Sequence, residues 1–316
     1  MTSLHFAQVS DLHISTVGDS EDVLSGQAAT LLVGIVDRLN LLDDLDFVLF
    51  SGDLVNEGRL VELELFQQAV AGLRRPYYVI PGNHDYRPPA GGGGLTRQLF
   101  AQLFNPQIAD RQGPPGAQMG YWSLTVKPDV QLIGLDSIRE DDWGGIIDAA
   151  QMAWLRDQLA AHADKLVIVA VHHPLHELAP VDRDPRWRKF VCHNGAEMLA
   201  LLADYPQARL VLTAHHHFTK VERLGPRWHL ACPAVSIYPC AYRTVRLSRP
   251  AGREWQLEWR TRPAATAATT EEARQRMIAA WLAVGLDREF VDAHVRIALG
   301  EPEDRSGCVL IGHRTA

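Results

Sequence analysis

The chain has 316 residues, of which 47% are hydrophobic and 22% charged, a composition typical of a globular protein with a sizeable core. Its 31 Lys and Arg against 38 Asp and Glu give a formal net charge of −7. This acidic balance argues against extended nucleic acid or an anionic membrane as a partner, because both attract basic surfaces. Positive charge for an anionic ligand must therefore come from a local source, such as bound metal ions.

Targeting and redox features are few. No basic segment followed by a long apolar one opens the chain, and no later stretch approaches the length of a membrane span. The four cysteines form no C-x-x-C pair and no dense framework, which is typical of thiols in a reducing compartment. These features predict a cytoplasmic protein.

Strand and helix patterns alternate along the chain. In the first eighty residues, β-branched apolar runs predict strands over 4–9, 46–50 and 77–80, and helix-spaced apolar residues predict helices over about 21–42 and 60–73. This order implies right-handed crossovers and a mainly parallel sheet. Further strands are predicted over 121–126, 130–135, 166–171 and 209–212, helices around 154–159 and 196–202, and antiparallel strands between 219 and 259.

Three segments stand apart from this pattern. The glycine-rich loop 87–94 and the charged loop 182–189 are either solvated connections or contributors to substrate choice. A shift in composition near residues 262–266 divides a main domain, residues 1–262, from a mainly helical extension, residues 263–316. In the extension, Thr269 with Glu272 suggests a capping box for a first helix, and a second helix is expected over 287–299. We expect this tail to pack on the main domain, with an oligomer contact or a lid as alternatives.

Polar residues follow the predicted strands at their carboxyl ends, where open α/β sheets place their sites. They are Asp11, His13, Asp53, Asn83, His84, His172, His215 and His217. Asp11 and His13, spaced by two, would point to the same side if the strand continued through them. With His84 left over, two carboxylates, one amide and four imidazoles exceed the needs of one tetrahedral zinc and suit two divalent ions that share a carboxylate, for which Asp53 is the natural candidate. Oxygen and nitrogen ligands without thiolate favour Mn, Fe, Zn or Co.

Five blocks in order, Asp11-x-His13, Gly52-Asp53-x-x-Asn56, Gly82-Asn83-His84-Asp85, His172-x-Pro174 and His215-x-His217, resemble the calcineurin-like metallophosphoesterases over roughly residues 4–235. The layout is most similar to the class III branch of cyclic-nucleotide and glycerophosphodiester phosphodiesterases. The resemblance implies a four-layer α/β/β/α sandwich, here with the C-terminal helical extension, and hydrolysis of a small phosphodiester by metal-bound hydroxide.

The resemblance also implies roles for individual residues. One ion would be held by Asp11, His13, Asp53 and His217, and the second by Asp53, Asn83, His172 and His215. From the chemistry of the residues themselves, His84 would protonate the leaving oxygen or neutralise the phosphate charge, and Asp85 would orient its imidazole. Two details depart from the common pattern, since Ala214 replaces a usual glycine and Leu175 stands where related phosphodiesterases often have a second proline. The His172-His173 doublet leaves either histidine as the ligand, and family position favours His172.

Several alternatives stay open. The same site would serve a phosphomonoesterase, including a phosphoprotein phosphatase, and the fold also serves as a protein-binding scaffold when its ligands are lost. A nuclease is disfavoured because no basic or aromatic track is evident. A homo-oligomer is compatible with the sequence. The remaining histidines are expected to be structural or surface residues, and His216 to be either a packing or a substrate-side residue. Asn56 either contacts the substrate or a ligand residue, or stabilises a turn, and Tyr86, Tyr238 and Tyr242 are candidates for the pocket border.

Overall fold

The computed structural model describes residues 2–86, 94–104, 120–139, 142–186, 190–250 and 254–311. The strands are β1 Thr2–Val9, β2 Phe47–Phe50, β3 Tyr77–Val79, β4 Trp122–Lys127, β5 Val130–Gly134, β6 Leu166–Ala170, β7 Ala208–Thr213, β8 Lys220–Leu224, β9 Arg227–Ala231, β10 Ala241–Arg249, β11 Trp255–Pro263 and β12 Ser306–Ile311. The helices are α1 Ala28–Leu39, α2 Leu60–Val70, α3 Arg97–Leu103, α4 Ala149–Ala161, α5 Gly195–Ala203, α6 Ala267–Ala283, α7 Arg288–Leu299 and α8 Pro302–Arg305, with a 3₁₀ helix at Pro180–Arg183.

The described strands form two six-stranded sheets. The first has the order β12-β11-β10-β1-β2-β3, and the second has the order β4-β5-β6-β7-β9-β8. Parallel pairing joins β1 to β2 and β2 to β3 in the first sheet, and β5, β6, β7 and β9 in the second. In the second sheet, parallel strands β5, β6, β7 and β9 are central and antiparallel β4 and β8 form the edges. In the first sheet, parallel β1, β2 and β3 form one half and antiparallel β10, β11 and β12 form the other. The parallel pairs are those that the alternation of strands and helices predicts.

Side chains alternate between two cores along each central strand. In β2, Val48 and Phe50 face a core shared with α1 and α2, whereas Phe47 and Leu49 face a core between the two sheets. The second sheet repeats the arrangement, because Leu132, Ile168 and Leu210 face the first sheet while Val167, Val169 and Val211 pack on α4 and α5. Helices therefore cover the outer face of each sheet, which confirms the predicted α/β/β/α sandwich.

Two helix starts differ from the sequence-based prediction. Helix α1 begins at Ala28 rather than near residue 21, because polar side chains hold the preceding loop: the Gly26 N–H donates to Asp19 and the Ser25 hydroxyl donates to the Gly18 carbonyl. The capping box at Thr269 is wrong. The N-cap of α6 is Thr266, whose backbone is extended and whose Oγ1 accepts the Thr269 N–H at 3.2 Å.

The tail contains a strand in addition to its helices. Helices α6 and α7 pack on loops of the main domain through a cluster that includes Ala273, Met277, Ala298 and Ile237. The chain then returns to the first sheet, where β12 pairs antiparallel with β11 from Arg260↔Ser306 to Trp255↔Ile311. The sequence analysis did not predict this strand, which joins the end of the tail to the main domain.

Most of the glycine-rich loop 87–94 and residues 187–189 of the charged loop lie outside the described residues. Within the described part of the chain, no helix has both the length and the apolar character needed to cross a bilayer.

Candidate metal centre

The seven candidate ligands come together at one edge of the two sheets. Asp11 and His13 follow β1, Asp53 follows β2, Asn83 follows β3, His172 follows β6, and His215 and His217 follow β7. Parallel strands place their carboxyl ends at the same edge of a sheet, and the two sheets face each other across a shared core. We call these seven residues the ligand cluster.

The backbone of the ligand cluster is unusual. Asp11, His13, Asp53, His215 and His217 all have positive φ, between 47° and 67°, in the left-handed region that non-glycine residues rarely adopt. Such strain persists where the surroundings impose it and is concentrated at functional sites. Here the turns after β1 and β2 lock together, because the Asp11 N–H donates to the Gly52 carbonyl and the His13 N–H to the Asp53 carbonyl. Asp11 and His13 therefore converge through left-handed turns and not through the strand alternation expected from their spacing.

Two glycines provide the space that this convergence needs. Gly52 has φ 101°, and a Cβ at this position would collide with the His172 ring. A Cβ on Gly82 would overlap Asp53, although the φ of Gly82 is not positive. Gly82 is thus required for close approach of Asp53 and not for the sharp turn alone.

Asp53 lies between two groups of candidate ligand atoms. The His172 Nε2 is 3.3 Å and the His13 Nε2 is 3.7 Å from the same Asp53 oxygen, Oδ2. On the far side of His13, the His217 Nε2 is 3.4 Å from Asp11 Oδ1. Ligand atoms lie within 4.8 Å of one another in three triads: Asp11 with His13 and His217, Asp53 with His172 and His215, and His13 with Asp53 and His84.

Buried atoms of the ligand cluster lack hydrogen-bond partners. They include both carboxylate oxygens of Asp11, Asp53 Oδ2, Asn83 Oδ1, and the Nε2 atoms of His13, His172 and His215. Leaving buried polar atoms unpaired is costly, and so many in one place require a physical explanation. Each of them can present a lone pair to a metal cation, His172 once its ring has lost a proton, so the residues present fit two divalent ions.

Two imidazoles of the ligand cluster, those of His13 and His215, are in the neutral form that metal coordination requires. Burial, reinforced by the neighbouring charge of His84, lowers the pKa of His13 to about 3. Burial and the adjacent His173 hold the pKa of His215 well below its usual range. Both rings are therefore neutral at pH 7, which is the form that binds metals.

Asp53 and His172 stabilise each other's charge. Burial opposes charge on both, but their attraction outweighs it: Asp53 raises the pKa of His172 to about 9, and His172 holds the pKa of Asp53 well below its usual range. A cation bound at this point would replace the proton on His172, so metal binding should release a proton.

The two histidines of the doublet have different surroundings. His172 donates its Nδ1–H to the Ser51 carbonyl at 2.8 Å, which leaves Nε2 directed at Asp53. Both ring nitrogens of His173 have partners, with Nδ1 2.8 Å from the Ser137 hydroxyl and Nε2 3.0 Å from the Trp143 carbonyl. The geometry thus favours His172 as the ligand.

The expected pairing of Asp85 with His84 is wrong. The Asp85 carboxylate is buried and accepts the backbone N–H groups of Leu54, Val55 and Gly82 at 2.8–3.2 Å, so it ties together the loops after β2 and β3. Burial and the charge of Asp53 raise the pKa of Asp85 to about 7, and the three N–H groups oppose this rise. His84 is oriented by the backbone carbonyl of Asn56, which lies 2.7 Å from its Nδ1.

A cavity of about 150 Å³ opens directly on the ligand cluster. Its polar wall consists of His13, Asp53, His84, His215 and His217, and His216 and Tyr238 also line it. His216 also lies near Asp182, with Nδ1 3.2 Å from the carboxylate. Tyr86 and Tyr242 are buried elsewhere, against Phe100 and in the core of the first sheet.

Sequence reasoning missed the other side of this cavity. Met277 and Trp281 of α6 and His294 and Ala298 of α7 line it, and we call these four residues the tail wall. The helical spacing of Met277 and Trp281 was visible in the sequence, but nothing in it placed that face on the cavity. Sequence reasoning also missed a second polar cluster, in which Glu222 lies 2.9 Å from His176 and 3.1 Å from His229.

Comparisons with known proteins identify phosphoesterases as relatives of this chain. The family model for calcineurin-like phosphoesterases matches residues 4–218. The chain is 30% identical over 216 residues to the glycerophosphodiester phosphodiesterase GpdQ of Enterobacter lignolyticus, covering 67% of this chain and 70% of that protein. It is 26% identical over 237 residues to the 3′,5′-cyclic adenosine monophosphate phosphodiesterase CpdA of Pseudomonas aeruginosa, covering 74% and 77% of the two chains.

Among solved structures, a dimetal phosphatase from Danio rerio superposes with a TM-score of 0.67 at 14% identity, covering 83% of this chain and 96% of that one. The Plasmodium inner membrane complex anchor GAP50 superposes with a TM-score of 0.51 at 13% identity, covering 87% and 94%. These two likenesses concern the fold alone, and the fold does not fix function. The family match covers most of the chain and includes every residue of the ligand cluster. The chain is a member of the calcineurin-like phosphoesterase family.

Proposed function

We propose that this protein is a dinuclear metal-dependent phosphodiesterase that hydrolyses small phosphodiesters of the cyclic-nucleotide or glycerophosphodiester type. The observation that carries the proposal is the set of buried, unpaired lone-pair atoms in the ligand cluster. A chain whose metal site had decayed into a scaffold would have no reason to keep these atoms unpaired. The names of the two curated relatives described above support phosphodiesters as the substrate class.

The ligand set divides around Asp53. Asp11, His13, Asp53 and His217 would hold one ion, and Asp53, Asn83, His172 and His215 the other. When bound, two such ions would supply positive charge for the phosphate and lower the pKa of water toward neutrality.

His84 is the proposed proton donor to the leaving oxygen. The Asn56 carbonyl accepts its Nδ1–H, which fixes the ring and leaves Nε2 for the substrate. The ring lines the cavity and lies edge-on to His13, with centroids 4.6 Å apart. A protonated His84 held in this way would deliver its proton to the leaving oxygen of a phosphodiester bound in the cavity, next to the polar wall.

The charge of the cavity favours a substrate with one negative charge. Among the described residues that line it, the ionisable groups are histidines, one tyrosine and two aspartates, Asp22 and Asp53, with no Lys or Arg. A diester monoanion needs less compensating charge than a monoester dianion, so this composition supports a diester over a monoester.

The experiment compares bis(p-nitrophenyl) phosphate with p-nitrophenyl phosphate, using chelator-stripped protein with Mn²⁺ restored. We expect faster turnover of the diester, dependent on Mn²⁺ and lost in Asn83→Ala. Preference for the monoester would indicate a phosphatase instead. Absence of metal-dependent turnover, in protein that binds two ions, would contradict the proposal.

A further inference from the structure

The tail wall is apolar and aromatic, and it faces the ligand cluster across the cavity. Trp281 and Met277 come from α6, His294 and Ala298 come from α7, and Ile237 and Tyr238 continue the same surface from the loop between β9 and β10. Met277, His294 and Ala298 are almost fully buried, so the half-buried Trp281 supplies most of the tail-wall surface that a ligand in the cavity could contact.

Directional contacts fix the aromatic groups of the tail wall. The Trp281 indole N–H donates to the Asp22 carboxylate at 3.1 Å. The Trp281 ring lies edge-on to His294, with centroids 4.0 Å apart, and His294 in turn contacts Phe218 at 4.8 Å. A side chain held by a hydrogen bond and a ring contact loses little further freedom when it binds a ligand, so this surface is preorganised.

Aromatic residues also stand beside two histidines of the polar wall. Trp143 lies 5.5 Å from the His84 ring, and Phe190 lies 5.7 Å from the His215 ring, as centroid distances. Trp143 and Phe190 themselves are 6.0 Å apart. A group attached to a phosphate on the ligand cluster would therefore meet aromatic faces or edges on either side of the cavity.

The size of the cavity limits what can enter. At about 150 Å³, it is close to the volume of an engineered apolar cavity that holds one benzene molecule. Burying a ring against aromatic walls is favourable. A polyol such as glycerol would instead lose hydrogen bonds to water there, and its hydroxyl groups would find few partners on the tail wall.

We infer that the tail wall forms a subsite for an aryl or heteroaryl ester group, so that the preferred substrates are small phosphodiesters bearing one ring of nucleobase size. This inference rests on the proposed phosphodiesterase function and narrows it, since it favours nucleoside-type diesters over glycerol-type ones. Trp281 is the specificity-determining residue of the subsite.

The test uses two ligands that differ by one ring. Methyl phenyl phosphate and dimethyl phosphate are both monoanionic diesters with poor leaving groups. Each is measured as a competitive inhibitor of bis(p-nitrophenyl) phosphate hydrolysis by the Mn²⁺-loaded protein, and its direct binding is measured by calorimetry. We expect the phenyl ester to bind at least about tenfold more tightly than the dimethyl ester. Equal affinities would overturn the inference.

Single-residue variants test whether the tail wall is the source of the preference for the phenyl ester over the dimethyl ester. Trp281→Ala should reduce the preference to less than about threefold while leaving the affinity for dimethyl phosphate unchanged. The matched control is Trp154→Ala, which removes a half-buried tryptophan of α4 that packs on Tyr121 away from the cavity, and it should keep the full preference. Full preference in Trp281→Ala would exclude the tail wall as the subsite.

Further measurements distinguish loss of stability, failure of the subsite and failure of the proposed function from one another. If Trp281→Ala lowers the melting temperature sharply, Trp143→Ala tests the same cavity from a loop outside the tail, and it should reduce the preference as well. Metal-dependent diester hydrolysis without any ring preference would contradict the subsite and leave the proposed function intact. Ring preference in calorimetry without hydrolysis would contradict the proposed function alone.

Discussion

The two sides of the cavity differ in how they are built. The polar wall consists of buried His and Asp residues that follow strand ends, in strained backbone conformations and with unpaired ligand atoms. The tail wall consists of apolar and aromatic residues on regular helices, held by ordinary packing. The five strained residues of the ligand cluster thus lie on the side where a cation and a phosphate would need them. Under the proposed function, the polar wall would determine the reaction and the tail wall would determine the substrate.

The largest expected effect distinguishes the two histidines of the doublet, His172 and His173. His172→Asn should remove a metal ligand and lower diester turnover by on the order of 10³-fold, with loss of bound metal. His173→Asn, an equally buried change, should keep both ions and cost less than about tenfold, because His173 contacts Ser137 and the Trp143 carbonyl instead. Activity assays with metal analysis by mass spectrometry measure both. Metal loss in the His173 variant with retention in the His172 variant would reverse the assignment.

His84→Ala tests whether the polar wall contains a proton donor besides its ligands. Turnover should fall by on the order of 10²-fold while both metal ions remain bound. His84 also lies within reach of His13 and Asp53 as a possible ligand, so the metal content decides between the two roles. Loss of one ion in this variant would make His84 a ligand and would contradict its role as an acid.

A substitution of Glu222 tests how much one partly buried polar contact contributes to the stability of the fold. It links His176, in the loop after β6, to His229 of β9. Burial opposes ionisation of Glu222, but hydrogen bonds from His176 and His229 lower its pKa to about 2, from 4.5. A lowered folded-state pKa contributes stability above pH 4.5, and this stability is lost as pH falls toward 2.

Glu222→Gln should therefore reduce the free energy of unfolding by about 1–2 kcal/mol at pH 6. The deficit relative to the parent protein should shrink as the pH is lowered to 3, and urea unfolding at a series of pH values measures it. A deficit that stays constant between pH 3 and pH 6 would argue against an ionised Glu222 as its source. Glu258→Gln, a change in a partly exposed carboxylate of β11, is the control and should show no comparable trend.

The smallest expected effect concerns the helix that carries Trp281. Thr266→Ala removes the N-cap of α6 and should cost about 0.5–1 kcal/mol of stability, whereas Thr269→Ala should cost less. Thermal unfolding of the two variants measures the difference. A larger loss in Thr269→Ala would restore the cap position expected from the sequence.

Much of the polar wall was predictable because its residues are tied to strand ends. A buried strand followed by Asp, His or Asn identifies the edge of the sheet, and parallel connections bring such edges together. The sequence therefore predicted seven candidate ligands, and the structure places ligand atoms of six of them, all but Asn83, within 4.8 Å of one another in groups of three. It did not predict the roles of Asp85 and Asn56, because backbone groups decide them: three N–H groups occupy Asp85, and a carbonyl orients His84.

The tail wall was not predictable for a different reason. The spacing of Met277 and Trp281 predicts one apolar face of α6 but gives no information on what that face covers. Its position follows from long-range contacts, including the Trp281–Asp22 hydrogen bond across 259 residues and the return of β12 to β11. The short strand β12 carries a weak signal, the apolar run Cys308-Val309-Leu310-Ile311, but a run of four residues does not show that it pairs with β11.

Titration of chelator-stripped protein with Mn²⁺ tests the central claim most directly, with bound metal and diester turnover measured at each step. We predict saturation at two ions per chain, release of protons on binding, and hydrolysis that reaches its maximum only as the second ion binds. Saturation at one ion, or full hydrolysis in the stripped protein, would contradict a dinuclear site centred on Asp53.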